Sequence, residues 1–138
     1  MKSILLRGGR IIKKIIINWD KFYKKILAAY EINNINIDYI YKKTNRTINI
    51  GEIVHLPDET GLNYFKAIGL SKGAKLVIND VCYYPEVNGV FFVDDIEEFI
   101  HNFTILYKEQ FFSGDVIIFD VEIKKIWCYH HSGRFGVT

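Results

Sequence analysis

Residues 114–130 read GDVIIFDVEIKKIWCYH and carry a strong strand pattern. Two runs rich in β-branched and aromatic residues, Val116–Val121 and Lys125–His130, flank a short polar segment. This arrangement predicts an antiparallel hairpin near the end of the chain. The following residues, HSGRFG at 131–136, contain two glycines, and we expect them to form a mobile tail after the last strand.

Other segments upstream also show strand patterns. Two apolar runs flank Gly8-Gly9, where glycine supplies the positive φ of a tight turn, so we expect a hairpin whose second strand runs to about Ile17. The remaining strand predictions are Asn36–Tyr41, Arg46–Val54, Lys75–Tyr84 and Val90–Val93.

Helical patterns lie between these strands. Apolar residues recur at helical spacing over Trp19–Glu31, and Leu62–Leu70 fits a short helix after a loop at His55–Gly61. A further helix is expected after Asp94, which can cap it with Glu97 three residues later. Its apolar face would consist of Phe99, Ile100, Phe103 and Leu106, with Tyr107 beside them.

Length and composition point to a single globular domain over residues 1–138. The chain is 49% hydrophobic and 25% charged, values that are usual for a folded soluble protein. Combined with the strand and helix patterns, they predict an α+β fold. We expect a mostly antiparallel sheet with two or three helices packed on one face.

Charge is unevenly distributed along the chain. Residues 1–50 hold eleven Lys and Arg against three Asp and Glu, a net charge of +8, whereas residues 51–138 hold seven against thirteen, a net charge of −6. The acidic part would repel phosphates, so we expect no nucleic-acid partner there. The cationic, amphipathic stretch Ile11–Leu27 also fits a membrane-surface helix, although a core-facing helix stripe is the commoner meaning, and we expect no membrane partner.

Neither the cysteines nor the known catalytic motifs indicate an enzymatic reaction. Cys82 and Cys128 are unclustered, the N-terminal residues lack a signal-peptide pattern, and we therefore expect a cytoplasmic protein with reduced thiols. The sequence patterns of serine hydrolases, zinc peptidases and nucleotide-binding loops are missing from the chain. Both thiols lie in apolar patterns, where cysteine is usually an inert core residue.

The four histidines raise two chemical alternatives. Cys128 and His130 would share one strand face and could ligate a metal, but His131 would point to the opposite face, so we predict no metal site and no cofactor. Two separated histidines can also act as acid and base on a phosphodiester. His55 and His130 would be the pair to test, with His101 and His131 as further candidates, in a small metal-independent ribonuclease.

Acidic residues suggest a different role, the docking of a basic protein. Exposed carboxylates accelerate encounter with a cationic partner, and aromatic side chains beside them supply affinity. The predicted partner-binding residues are Asp58, Glu59, Asp94, Asp95, Glu97, Glu98, Tyr129 and His131.

Three short motifs resemble small bacterial immunity proteins of contact-dependent inhibition and other polymorphic toxin systems, in particular the SUKH-type superfamily. They are Leu56-Pro57-Asp58-Glu59 with Tyr64-Phe65 and Gly69, then Phe91–Phe99, then Gly114–Asp120 with Trp127 and His130. The resemblance covers Leu56 to His131. It implies a non-enzymatic protein that binds a cognate toxin, often a nuclease, and occludes its active site in the cytoplasm.

Overall fold

The computed structural model describes the backbone of residues 2–5, 11–53 and 55–138, and the side chains of residues 14–53 and 55–138. In this part of the chain, eight strands form one antiparallel sheet in the order β1-β2-β5-β4-β6-β7-β8-β3. The strands are β1 (Lys2–Leu5), β2 (Ile11–Asn18), β3 (Arg46–Asn49), β4 (Lys75–Ile78), β5 (Gly89–Val93), β6 (Val116–Asp120), β7 (Ile126–His130) and β8 (Arg134–Val137).

Helical segments connect these strands. They are α1 (Trp19–Lys21), which continues as a π-helix (Phe22–Ile26) and a 3-10 helix (Leu27–Tyr30), then α2 (Ile37–Lys42), α3 (Asp58–Ala67), a 3-10 helix (Asp80–Tyr83), α4 (Ile96–His101) and α5 (Phe103–Tyr107). The α+β class and the antiparallel sheet are thus confirmed. Among the described residues, no helix is both long enough and apolar enough to cross a membrane.

Several predicted elements lie where the sequence places them. The hairpin of β6 and β7 matches the two runs within residues 114–130, and β5 matches the predicted strand at Val90–Val93. Strand β2 gives way to helix at Asn18, whose side chain accepts a hydrogen bond from the backbone N–H of Lys21. Strands β1 and β2 pair as the predicted hairpin requires, but Gly8-Gly9 lies outside the described residues.

Two predictions about secondary structure are wrong. Asn36–Tyr41, predicted as a strand, contains most of α2, because the Asn36 side chain accepts the backbone N–H groups of Asp38 and Tyr39 and caps a helix. The predicted loop His55–Gly61 is helical from Asp58 onward, since Pro57 can precede a first turn without losing a hydrogen bond.

Three other segments differ in extent. The predicted strand Lys75–Tyr84 ends at Ile78 and turns into the 3-10 helix, and the strand predicted over Arg46–Val54 ends at Asn49. Helix α4 is capped by Asp95 rather than by Asp94, with the Glu98 backbone N–H donating to the Asp95 carboxylate.

The chain after β7 is a strand of the sheet, not the mobile tail we expected. Strand β8 pairs with β7 on one side and with β3 on the other. Gly133, in the turn before β8, has φ +91°, and a Cβ there would lie 1.9 Å from the carbonyl oxygen of Gly51. Only glycine permits this turn, which closes β8 back onto β7.

Helices cover both faces of the sheet, whereas we expected them on one. On the first face, Phe65 of α3 contacts Phe135, and Phe99 of α4 contacts Phe91. On the second face, Phe22 and Tyr30 pack against Phe119. Because both faces are buried, every residue of β4, β6 and β7 is buried, and the sheet forms the centre of one hydrophobic core.

Candidate functional site

The predicted partner-binding acids do not form one surface. Lys66, at the end of α3, forms an ion pair of 2.9 Å with Glu97 in the first turn of α4. The group Asp94–Glu98 therefore lies near the C-terminal end of α3, whereas Asp58 and Glu59 lie at its N-terminal end. Ten helical residues span about 15 Å, and this length separates the two groups.

Most of these carboxylates also have structural roles. Asp58 accepts the backbone N–H groups of Phe111 and Phe112 at 2.9 and 3.1 Å. Its burial raises the pKa of the carboxyl, and those two N–H groups partly offset the rise. Asp95 caps α4, and Glu98 accepts a hydrogen bond from the Asn102 side chain. Of the six predicted acids, only Asp94 and Glu59 are exposed, and the other four are partly buried.

The predicted contact residues of the last hairpin divide between core and surface. Tyr129 is only 3% exposed and packs against Phe112 and Phe135, so it cannot serve as a contact for a partner. The sequence argument assumed that one face of this strand meets solvent, but helices and loops cover both. The His131 side chain, in contrast, is 68% exposed.

A different acidic surface, which the sequence did not predict, forms at one end of the sheet. We call it the acidic–aromatic patch and define it as Asp80, Tyr83, Tyr84, Glu109 and Asp115. Its position follows from the register of β4 and β6, which pairs Ile78 with Ile117. Asp80 comes two residues after Ile78, and Asp115 two residues before Ile117, so the antiparallel register brings these carboxylates to the same edge.

The carboxylates of the acidic–aromatic patch lie close enough to repel one another. Partial burial raises the pKa of Asp80, and the charges of Asp115 and Glu109 raise it further. Gly114 allows the backbone to pass close to Asp80, because a Cβ at position 114 would lie 2.4 Å from the Asp80 carboxylate. The patch is therefore a site of concentrated negative potential.

Aromatic side chains accompany these charges. Tyr83 is 60% exposed and stacks on Trp19 with ring centroids 5.0 Å apart. The Tyr84 hydroxyl donates a hydrogen bond of 2.8 Å to the Glu109 carboxylate. Partial burial raises the pKa of Tyr83 to about 12, with neighbouring Tyr23 and Asp80 adding to the shift, so its hydroxyl remains a neutral donor at neutral pH. Tyr23 is also exposed and packs beside Trp19.

Beside the acidic–aromatic patch lies a cavity of about 520 Å³. Its wall includes His55 and His131, and the His55 ring contacts the Gln110 amide at 3.2 Å. The described residues that line the cavity include no Lys or Arg, and they include one acidic residue, Glu109. His130, which we paired with His55 on the sequence alone, is 8% exposed and does not line this wall.

The two cysteine thiols are poorly reactive in this fold. Both cysteines are free and buried, as the sequence predicted. Burial raises the pKa of each thiol to about 12, so neither is a thiolate near neutral pH. Cys128 is therefore poorly suited to bind a metal together with His130.

The two adjacent histidines meet in space, contrary to the prediction that they point to opposite faces. Strand β7 ends at His130, so the strand alternation no longer applies to His131 in the following turn. Their rings stack with centroids 4.3 Å apart, and Asp115 lies beside them. His131 donates to the Asp115 carboxylate from its backbone N–H, and its Nδ1 lies 2.9 Å from the same oxygen.

His130 is held by the turn that follows it. Its Nδ1 lies 2.7 Å from the Ser132 hydroxyl, and its Nε2 lies 3.4 Å from the Asp38 carboxylate. Burial lowers the pKa of His130, and the positive charge of Arg134 lowers it further, so the imidazole is neutral at pH 7.

Comparison with protein-family models, with curated proteins and with solved structures found no match to this chain.

Proposed function

We propose that this chain is a non-enzymatic immunity protein that binds a cognate toxin in the cytoplasm and neutralises it by occluding its active site. The observation that carries the proposal is the acidic–aromatic patch, in which three carboxylates lie beside two exposed tyrosines. The motif resemblance to immunity proteins points the same way.

The chemistry of the acidic–aromatic patch indicates the kind of partner. Clustered carboxylates attract a cationic surface and accelerate its encounter, while a partner that binds phosphates presents such a surface. Tyr83 and Tyr84 offer large, amphipathic contact areas of the type enriched at binding hot spots. A nuclease toxin, whose active site attracts nucleic acid, fits this description best.

The cost of assembling the acidic–aromatic patch also supports a binding role. Partial burial raises the pKa of Asp80, and the charges of Asp115 and Glu109 raise it further, so these charges do not stabilise the fold through one another. A partner that supplies Lys or Arg would relieve that repulsion on binding. Stability is commonly sacrificed in this way at surfaces that are kept for function.

The test compares two double variants that remove the same charge. The probe is the product of the neighbouring gene, which the proposed immunity role predicts to carry a toxin domain. Asp80→Asn with Glu109→Gln should slow complex formation and weaken inhibition of the toxin, because both changes lie in the acidic–aromatic patch. The matched control is Glu59→Gln with Asp94→Asn, which changes the two exposed acids among the partner-binding residues predicted from the sequence. This variant should inhibit the toxin as the parent protein does.

Two outcomes would contradict the proposal. If the control pair weakens inhibition and the patch pair does not, the docking surface lies around α3 and α4 instead. If the parent protein neither binds nor inhibits the toxin, the immunity role itself is wrong.

A metal-independent ribonuclease with a histidine pair is the second candidate, because His55 and His131 line one cavity. Its test is incubation of the protein with RNA in the presence of a chelator. Cleavage that His55→Ala and His131→Ala each abolish would support this enzyme and overturn the binding role. We expect no cleavage, since Glu109 in the cavity wall repels phosphate.

A further inference from the structure

We propose that Asp115, His130 and His131 form a binding site for a divalent transition metal of the zinc class. Each residue offers one ligand atom, and the three atoms lie within 4.8 Å of one another. Two imidazoles and one carboxylate are a ligand set that zinc uses widely, with a fourth position left for water. This inference goes beyond the proposed function and does not depend on it.

The shortest edge of the cluster already has nearly the spacing that a bound metal requires. His131 Nδ1 and the Asp115 carboxylate oxygen are 2.9 Å apart and share a proton. Two ligands at about 2.1 Å from a zinc ion lie roughly 3.0 to 3.4 Å apart at the usual coordination angles. Replacing that proton by the metal therefore needs only a small separation of these two groups, and the proton passes through solvent to Nε2, so that the imidazole remains a neutral ligand.

The ligand atoms of His131 and Asp115 must come closer to His130 than 4.8 Å, and the surroundings allow these two side chains to do so. The His131 side chain is highly exposed and that of Asp115 is about one third exposed, so both can turn without disturbing the core. His130 itself is held in place, which gives the site one fixed ligand.

The second nitrogen of His130 has a partner whichever nitrogen binds the metal. If Nε2 is the ligand, Nδ1 keeps the Ser132 hydroxyl at 2.7 Å, and if Nδ1 is the ligand, Nε2 keeps the Asp38 carboxylate at 3.4 Å. Histidine ligands in proteins usually have such an outer partner, which fixes the ring and raises its basicity. The backbone N–H of His131 orients the Asp115 carboxylate in the same way.

The fourth position would open toward solvent and the cavity. His131 lines the cavity of about 520 Å³, so a ligand on the open side of the metal has room there. The site belongs to the open type, with three protein ligands, rather than the closed structural type with four.

The test is titration of the untagged, chelator-treated protein with Zn²⁺ alone, followed by calorimetry, and with Co²⁺, followed by its visible spectrum. We expect one Zn²⁺ to bind per chain, and we expect the Co²⁺ spectrum to be that of an ion with a low coordination number. His131→Ala and Asp115→Asn should each weaken Zn²⁺ binding by about tenfold or more, since even outer partners of a ligand contribute about this much. Both positions lie at the surface, so these variants should fold.

His101→Ala is the matched control, because His101 is exposed and outside the cluster. It should bind Zn²⁺ as the parent does. The proposal is overturned if the parent shows no saturable binding, or if His131→Ala and Asp115→Asn bind Zn²⁺ as tightly as the parent. Asp115 also belongs to the acidic–aromatic patch, so toxin binding is tested separately by Asp80→Asn with Glu109→Gln, which changes no residue of the metal cluster.

Discussion

At the scale of single residues, Lys75 and Asp120 form an ion pair inside the core. Their side chains meet at 3.2 Å and are almost completely buried. The Lys75 ammonium also contacts the backbone oxygens of Lys72 and Gly73, and Asp120 accepts the N–H groups of Glu122 and Ile123. These bonds satisfy both charges, which would otherwise be strongly destabilising in the core.

Removal of one partner from this pair should therefore cost far more than the same change at the surface. Lys75→Met leaves Asp120 without its countercharge and should lower the free energy of unfolding by about 3 kcal/mol or more. Lys24→Met breaks an exposed pair with Asp20 and should cost about 0.5 kcal/mol or less. Urea unfolding of both variants measures the difference. Equal losses would mean that the buried pair contributes no more than a surface one.

Asp120 should also make the fold sensitive to acid. Burial would raise the pKa of its carboxyl, but the N–H groups of Ile123 and Glu122 together with Lys75 outweigh burial and hold the pKa below its usual value. Ionised Asp120 thus stabilises the folded protein above about pH 4, and this contribution is lost as the pH falls through the lowered pKa. Urea unfolding between neutral and strongly acidic pH should show a loss that is smaller in Asp120→Asn. Identical pH profiles of the parent and Asp120→Asn would show that Asp120 does not cause the loss of stability in acid.

At the scale of elements, the order of strands and helices was largely predictable, and the errors have local causes. The run of apolar residues within 114–130 identified β6 and β7, and Asn18 marked the end of β2. Helix α2 was missed because its residues, such as Ile37 and Tyr39, favour strands when read without the Asn36 cap. Strand β8 was missed because it is short and contains Gly136, and because its pairing with β3 joins segments that are distant in sequence.

The docking of β8 gives a test at this scale. Gly133→Ala places a Cβ against the backbone of Gly51 and forces a positive φ, so it should cost about 2 kcal/mol or more of unfolding free energy. Gly69→Ala is the control, because Gly69 has a similar φ of +96° but open space around it. It should cost about 1 kcal/mol, the conformational part alone. If the two substitutions cost the same, the close contact of this turn with Gly51 is not important for stability.

At the scale of the whole molecule, the candidate site depends on strand register, which the sequence does not reveal. Asp80 and Asp115 are distant in sequence, and only the pairing of β4 with β6 brings them together. The predicted acids lie at the starts of α3 and α4, where carboxylates favour the helix itself. The net charge of −6 over residues 51–138 indicated an acidic surface, but not that Asp80, Glu109 and Asp115 would come together.

We propose that a basic toxin docks on the acidic–aromatic patch. The most direct test is hydrogen exchange of the backbone amides, followed by mass spectrometry, with and without the product of the neighbouring gene, which the proposal predicts to carry the toxin domain. We predict that the toxin slows exchange in the peptides that cover residues 80–86 and 109–115. Protection confined to the starts of α3 and α4, with unchanged exchange in those two peptides, would show that the toxin does not dock on the acidic–aromatic patch.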